Sequence, residues 1–247
     1  MVGYFPTDRK KRCLVFPSEN TGGDEMQNRV TVVSVNFKTP GLIRDCIVSL
    51  RRNYIGIPII LIDNGGCSAS LATVRTIDRT FGSTTTIENS HNIGHGPALH
   101  QGIMHAKTPY VFTLDSDTAT KSGGFVEAML REFDKNPKLF ALGWLRYTNA
   151  NGVASPKQNL KRGMPYVHPY ACMIDRKKYL KLKQPFIHSG APATKLMQAA
   201  KKVGYALKSF PIEGYIWHKE AGTRGCFAGE WRVGTDARKA KWRKHRI

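Results

Sequence analysis

A chain of 247 residues, 41% hydrophobic and 10% aromatic, has the material for one large α/β domain, or one domain with extensions. No apolar run approaches the roughly 18–20 residues of a membrane span, and the amino terminus shows no apolar stretch after its charges of the kind a secretion signal carries. The five cysteines (Cys13, Cys46, Cys67, Cys172, Cys226) are scattered without a Cys-x-x-Cys pair, which argues against a zinc site or a disulfide framework and fits a reducing, cytoplasmic setting. Lys and Arg number 38 against 18 Asp and Glu, a net charge of +20 that sets up a field attracting polyanions.

Residues 1–28 are polar and carry the cluster Arg9-Lys10-Lys11-Arg12, so they read as a basic, loosely held arm. Regular patterning begins at Arg29. Residues 30–35 form a continuous β-branched run, as expected of a parallel strand buried on both faces. Thr39-Pro40 is a helix start, with Thr as N-cap and Pro at the first helical position, and Leu42, Ile43, Cys46, Ile47 and Leu50 follow at helical spacing. Residues 58–62 are a second strand, running into Asp63-Asn64-Gly65-Gly66. Ser68 is placed to cap the next helix, with Leu71, Val74, Ile77 and Phe81 on one face. A weaker strand at 84–87, a short helix at 96–106 and a strand at 110–114 complete an alternation that argues for a mostly parallel α/β sheet.

The second half is less regular. The pattern predicts a helix over 123–135, strands over 139–145 and 170–174, and a helix over 194–203 stopped by Gly204. Short strands are expected at 205–210 and 215–217. Residues 149–162 read as a loop, 176–183 as a basic stretch, and the tail after Trp231 as strongly basic.

The strand at 110–114 ends in Asp115-Ser116-Asp117. Two carboxylates two residues apart at a strand end can share a hard cation such as Mg²⁺ or Mn²⁺, which takes oxygen ligands and bridges carboxylates to substrate phosphates. Ligands of open α/β sheets bind at the carboxyl ends of strands. The same edge collects Asn36, Asp63 and the loop Asn92-Ile93-Gly94-His95-Gly96-Pro97, whose glycines permit close backbone approach and whose helix start favours phosphate.

In this order and spacing, Val33-Ser34-Val35-Asn36-Phe37-Lys38, Leu61-Ile62-Asp63-Asn64, Asn92-Ile93-Gly94 and Asp115-Ser116-Asp117 resemble the nucleotide-sugar half of a family-2-like glycosyltransferase of the GT-A fold. The resemblance covers residues 29–120 well and is patchier to about residue 222. It implies a Rossmann-like, mostly parallel sheet with helices on both faces and a smaller mixed acceptor-side region. The implied organisation is a basic arm (1–28), a transferase domain (29–225, with a donor half at 29–120 and an acceptor half at 121–225) and a basic tail (226–247). The resemblance further implies that Asn36 and Phe37 line the base pocket and that Asp63 bonds the base or ribose. Asp115 would contact ribose or a metal-bound water, and Asp117 would ligate a Mn²⁺ or Mg²⁺ ion bridging the diphosphate of a UDP-sugar. Trp217-His218-Lys219-Glu220-Ala221-Gly222 resembles the family's His-x-x-Gly region, making His218 a metal ligand and Lys219, with Arg224, a phosphate contact. The chain departs from the family at the catalytic base. Where inverting relatives carry Glu-Asp, this chain has Pro192-Ala193, and His188 is the nearby titratable group; Glu213, Glu220 or a retaining mechanism stand as alternatives. His91, His95, His100 and His105 lack ligand-like spacing, with His95 at the edge of the sugar pocket.

Basic stretches at 9–12, 157–162, 176–183 and 232–246, interleaved with Tyr166, Tyr170, Tyr179, Trp231 and Trp242, suit phosphate-backbone contact with base stacking. They point to a nucleic-acid acceptor, specifically a hydroxymethylated pyrimidine in DNA modified by a phage-type enzyme, which would place the chain in host cytoplasm. The competing expectations are an envelope glycosyltransferase docked to anionic lipid and a non-catalytic nucleic-acid-binding module on a decayed transferase fold.

Overall fold

The computed structural model of the chain describes residues 27–148, 163–187 and 192–219. Strand β1 (Val30–Asn36) is buried along its whole length, as its unbroken apolar pattern demands. It pairs in parallel with β2 (Ile59–Asn64) on one side and β4 (Tyr110–Leu114) on the other, and β3 (Thr84–Asn89) adds outside β2. Beyond β4 the sheet turns antiparallel through β7 (Pro165–Asp175) and β6 (Leu139–Tyr147), and β8 (Ala206–Ser209) closes it parallel to β6. The order is β3-β2-β1-β4-β7-β6-β8, a mostly parallel sheet of seven strands. A separate antiparallel ribbon joins β5 (Thr118–Thr120) to β9 (Ile216–His218).

Helices cover both faces. On one, α1 (Pro40–Arg51), α2 (Ser68–Thr80) and α4 (Phe125–Lys135) bury Ile43, Ile47, Leu50, Val74, Ile77, Phe125 and Met129 against β1, β2, β4 and β7. On the other, α3 (His95–His105), α5 (Arg176–Leu182) and α6 (Thr194–Lys202) bury Leu99, Ile103, Tyr179, Leu196 and Met197. Among the described residues no helix is long and apolar enough to cross a membrane.

Three local expectations change. Thr39 precedes α1, but its hydroxyl donates to Asn36 Oδ1 at 2.9 Å instead of capping the helix. Ser68 is the first helical residue of α2, with Cys67 in the cap position. The basic stretch after β7 is a helix, because Asp175 accepts from the Lys178 N–H and caps it, and Tyr179 is buried beneath.

A candidate donor and metal site

Parallel register brings the polar strand ends together. Asn36 lies opposite Asp63, Asp63 opposite Glu88, and Asn64 opposite Asn89. Asn36 is fully buried, and its amide donates to Asp63 Oδ1 at 3.1 Å and to Ser70 Oγ. The second oxygen of Asp63 accepts from the Gly66 N–H at 3.3 Å. Asn36 thus fixes the Asp63 carboxylate from beneath and does not itself form an open surface. Asp63 lines a cleft of about 410 Å³ with Gly65, Gly66, Leu71, Glu88 and Ser90. Gly65 is obligatory at its lip. Its φ is +70°, and a Cβ there would sit 2.2 Å from the His91 carbonyl carbon. Phe37 is half-buried just beyond β1, with Lys38 Nζ 5.3 Å from its ring centre.

An asparagine ladder holds the next loop. The buried Asn64 donates to Asn92 Oδ1 at 2.9 Å and accepts from Asn89 Nδ2 and from the Ile93 N–H. Asn92 Oδ1 also accepts from the Gly94 N–H at 2.8 Å. Asn92 therefore shapes the turn into α3 through its side chain. Gly96 makes the closest approach of that helix. A Cβ there would lie 2.1 Å from the Ile187 carbonyl oxygen, so the segment leading to His188 packs directly on the start of α3. His188 itself, Glu220, Arg224 and the basic stretches at 9–12, 157–162 and 232–246 lie outside the described residues.

Asp115 and Asp117 leave the end of β4 as the turn into β5. The Asp115 N–H donates to Tyr170 O at 2.8 Å, and Thr118 Oγ1 donates to Asp115 O. Buried Cys46 lies under the turn with its Sγ 3.3 Å from Thr118 Oγ1; burial pushes its thiol up to about 12, so it is an inert packing group at neutral pH. The β5–β9 register then sets His218 opposite Thr118, and the Lys219 N–H donates to Asp117 O at 2.9 Å. Residues about a hundred positions apart are joined in this way. One ligand atom from each of Asp115, Asp117 and His218 falls within 4.8 Å of the others, and His218 Nε2 stands 3.4 Å from Asp117 Oδ1.

This donor set fits a divalent cation. Two carboxylates and an imidazole suit Mn²⁺, and the oxygens alone suit Mg²⁺. Asp115 Oδ1 is buried and accepts no hydrogen bond, an expense a bound cation removes. Its neighbour is His95 Nε2 at 3.3 Å. Burial pulls the His95 pKa down, but the negative charge of the neighbouring Asp115 outweighs this and leaves it raised. This pairing supports the metal-free fold below the ordinary histidine value of about 6.5, and the support fades as pH rises through the raised value. Mn²⁺ affinity is therefore expected to fall as the pH drops through that value, and His95→Asn to reduce the dependence. Mn²⁺ titrations at several pH values check this; an unchanged profile in the variant would remove His95 from the linkage.

His168 belongs to no motif in the sequence. It lies on β7 within an aromatic cluster, its ring 5.7 Å from Trp144 and 5.6 Å from Tyr170. Burial lowers its pKa to about 4, with the Asp115 charge partly opposing, so it is neutral at physiological pH. Tyr170 in turn packs 4.7 Å from the His218 ring, and the Arg146 guanidinium lies 4.3 Å from the Trp144 ring centre. The only signal in the sequence was an aromatic-rich strand, and the two prolines around His168 masked its regularity.

Residues 31–200 match the family model described as glycosyl transferase family 2. The chain belongs to glycosyl transferase family 2. The match ends before His218, so the third member of the metal cluster comes from outside the matched region. Among solved structures, this family-2 chain is similar to the mannosyltransferase PcManGT from Pyrobaculum calidifontis, solved with GDP-Man and Mn²⁺, at 16% identity and TM-score 0.59, covering 74% of this chain and 54% of that one. It is also similar to S. aureus TarS 1-349, at 14% identity and TM-score 0.60, covering 78% and 61%. The same TarS fragment solved with UDP-GlcNAc gives 14% identity and TM-score 0.58, covering 76% and 57%. The chain thus spans between half and two thirds of these relatives, and the likeness establishes a shared fold, the GT-A type. A search of the curated proteins finds no match.

Proposed function

We propose that this family-2 chain is a metal-dependent glycosyltransferase. It takes a sugar from a nucleoside diphosphate sugar, with UDP as the preferred carrier, and moves it to a hydroxyl on a polyanionic acceptor. The observation that carries the reading is the convergence of Asp115, Asp117 and His218 at the end of β4, with a buried Asp115 oxygen left without a hydrogen bond. Solved relatives bound to GDP-Man with Mn²⁺ and to UDP-GlcNAc support the donor class.

Asp117, Asp115 and His218 would hold Mn²⁺ or Mg²⁺, which supplies charge neutralisation for the departing diphosphate. Asp63, fixed by Asn36 and Gly66, presents carboxylate oxygens beside the 410 Å³ cleft for the nucleoside. The Asn92–Gly94 turn shapes the start of α3, which would take the donor phosphates at its N-terminus, and exposed Lys219 offers a cation at the end of β9. His188 is assigned the proton from the acceptor hydroxyl, supported by Ile187 packing on Gly96, next to His95. The net charge of +20 favours a nucleic-acid acceptor; we assign it as DNA carrying hydroxymethylpyrimidine, whose hydroxyl would be the nucleophile and whose base would be flipped from the duplex to reach the site.

The test is a screen of UDP- and GDP-sugars with Mn²⁺ or Mg²⁺, scored by mass spectrometry on hydroxymethylated DNA and on lipid-linked and polymer acceptors. A metal-dependent mass increase on the DNA supports the reading. Transfer confined to the other acceptors overturns the DNA assignment, and neither transfer nor donor hydrolysis under any condition overturns the enzyme assignment.

A further inference from the structure

The two helix layers carry different charge. Helices α1, α2 and α4 hold six Lys and Arg against five Asp and Glu, a nearly balanced surface. Helices α3, α5 and α6, on the other face of the sheet, hold seven Lys and Arg and no Asp or Glu. Where the end of α3 meets α5, this second face opens into a cleft of about 560 Å³ lined by Lys107, Arg176, Lys177 and Lys181 with Pro109 and Leu180 between them. Arg176 is anchored, donating from Nε to Ile103 O at 2.9 Å and from Nη2 to Met104 O at 3.1 Å. Asp175, the residue before α5, already accepts from the Lys178 ammonium and the Lys178 N–H. Lys107, Lys177 and Lys181 are exposed and form no ion pair among the described residues. Four like charges around one concavity, with no carboxylate lining it among the described residues, are an arrangement that a polyanion relieves.

Helix α3 connects the cleft to the candidate metal cluster. Helix α3 starts at His95, 3.3 Å from Asp115, and ends at His105, two residues before Lys107. Its eleven residues span about 16 Å. Along a nucleic-acid duplex one strand places a phosphate roughly every 3.4 Å, so the helix corresponds to about five base pairs. Membrane docking fits the same face less well. An interfacial helix needs a continuous apolar stripe turned outward, whereas α5 and α6 turn theirs inward through Tyr179, Leu196, Met197 and Ala200. On α3, α5 and α6 the exposed large apolar side chains are Met104 and Leu180 alone.

We propose that the α3–α5–α6 face is a second binding site of this protein, a docking surface for the phosphodiester backbone of the acceptor, with the Lys107–Lys177–Lys181 cleft taking phosphates about five base pairs from the modified nucleotide. The inference rests on the nucleic-acid reading of the acceptor, and deepens it by locating the contact. The test combines Lys107→Gln, Lys177→Gln and Lys181→Gln, all exposed and none at the donor or metal site. Binding of an unmodified 20-base-pair duplex is measured across a salt series, alongside donor affinity and sugar transfer. The triple variant is expected to bind at least about tenfold more weakly at 0.1 M salt. The slope of log K against log salt should become shallower by up to about 2.7, the counterion release for three lost phosphate contacts. Donor affinity and kcat should stay unchanged while KM rises for long duplexes only. An unchanged duplex affinity and salt slope overturns the docking site even if the wild type glycosylates DNA. Loss of flotation with phosphatidylglycerol vesicles, duplex binding being unaffected, overturns it in favour of a lipid surface. Weaker duplex binding by the variant, in a protein that transfers no sugar to DNA, supports the docking site and removes only the acceptor reading.

Discussion

Asp117→Asn is expected to lower kcat/KM for sugar transfer by about 10³-fold and to abolish stimulation by Mn²⁺. The side chain is largely buried, 12% exposed, with His218 Nε2 3.4 Å from its Oδ1. An amide keeps the shape and removes the charge that would hold the cation. Charge stabilisation by a bound divalent ion is worth several kcal/mol in the transition state, and each 1.36 kcal/mol is about a factor of ten in rate. Folding should survive the change, because the Asp117 contact that closes the β5–β9 ribbon runs from its backbone oxygen to the Lys219 N–H. Two comparisons separate metal from donor effects. His218→Ala should weaken Mn²⁺ binding while retaining partial turnover at high metal. Asp63→Asn should weaken donor binding with metal affinity intact, since Asp63 belongs to the neighbouring cleft. Mn²⁺ binding followed by paramagnetic resonance without donor reads the first effect, and nucleotide titration reads the second. Wild-type Mn²⁺ affinity in Asp117→Asn would contradict the assignment of this cluster.

The polar edge that forms the candidate site was legible because each of its parts is local. β1, β2 and β4 are continuous apolar runs that end in polar residues, and parallel pairing in register needs only those ends to align them. What escaped is what depends on distant partners. β5 is three residues long and has no periodicity to detect; it exists because β9, nearly a hundred residues later, pairs with it. β7 begins at Pro165, earlier than its apolar core at 170–174 implies, because pairing with β6 overrides the two prolines. Helix α5 was hidden by its lysines, although Asp175 before it was a readable cap. The basic residues can be counted in the sequence, but which helices share a face is a property of the fold. The segregation of charge onto α3, α5 and α6 therefore emerges only from the packing.

Arg51→Met is expected to cost about 3 kcal/mol of stability, the sum of several carbonyls left without donors less the gain from an apolar replacement. Arg51 is 2% exposed at the end of α1. From Nη1 it donates to Ile55 O and Ile57 O, each at 2.7 Å, and from Nη2 to Gly82 O and Thr84 Oγ1, each at 3.0 Å. One planar guanidinium thereby ties the end of α1, the approach to β2 and the turn into β3. Burial lowers its pKa to about 10, so it stays charged at neutral pH. For a domain of this size each kcal/mol moves Tm by roughly 2–4 °C, so thermal unfolding should begin about 10 °C lower. Arg51→Lys should lose nearly as much, because a single ammonium cannot reach both sets of carbonyls that the fork spans. The residues proposed to bind the donor lie at the opposite ends of the same strands, so activity per folded molecule should persist at low temperature. A calorimetric scan of both variants beside transfer rates at 15 °C decides it: a Tm within 2 °C of wild type in either variant would show that the loops hold themselves without the guanidinium.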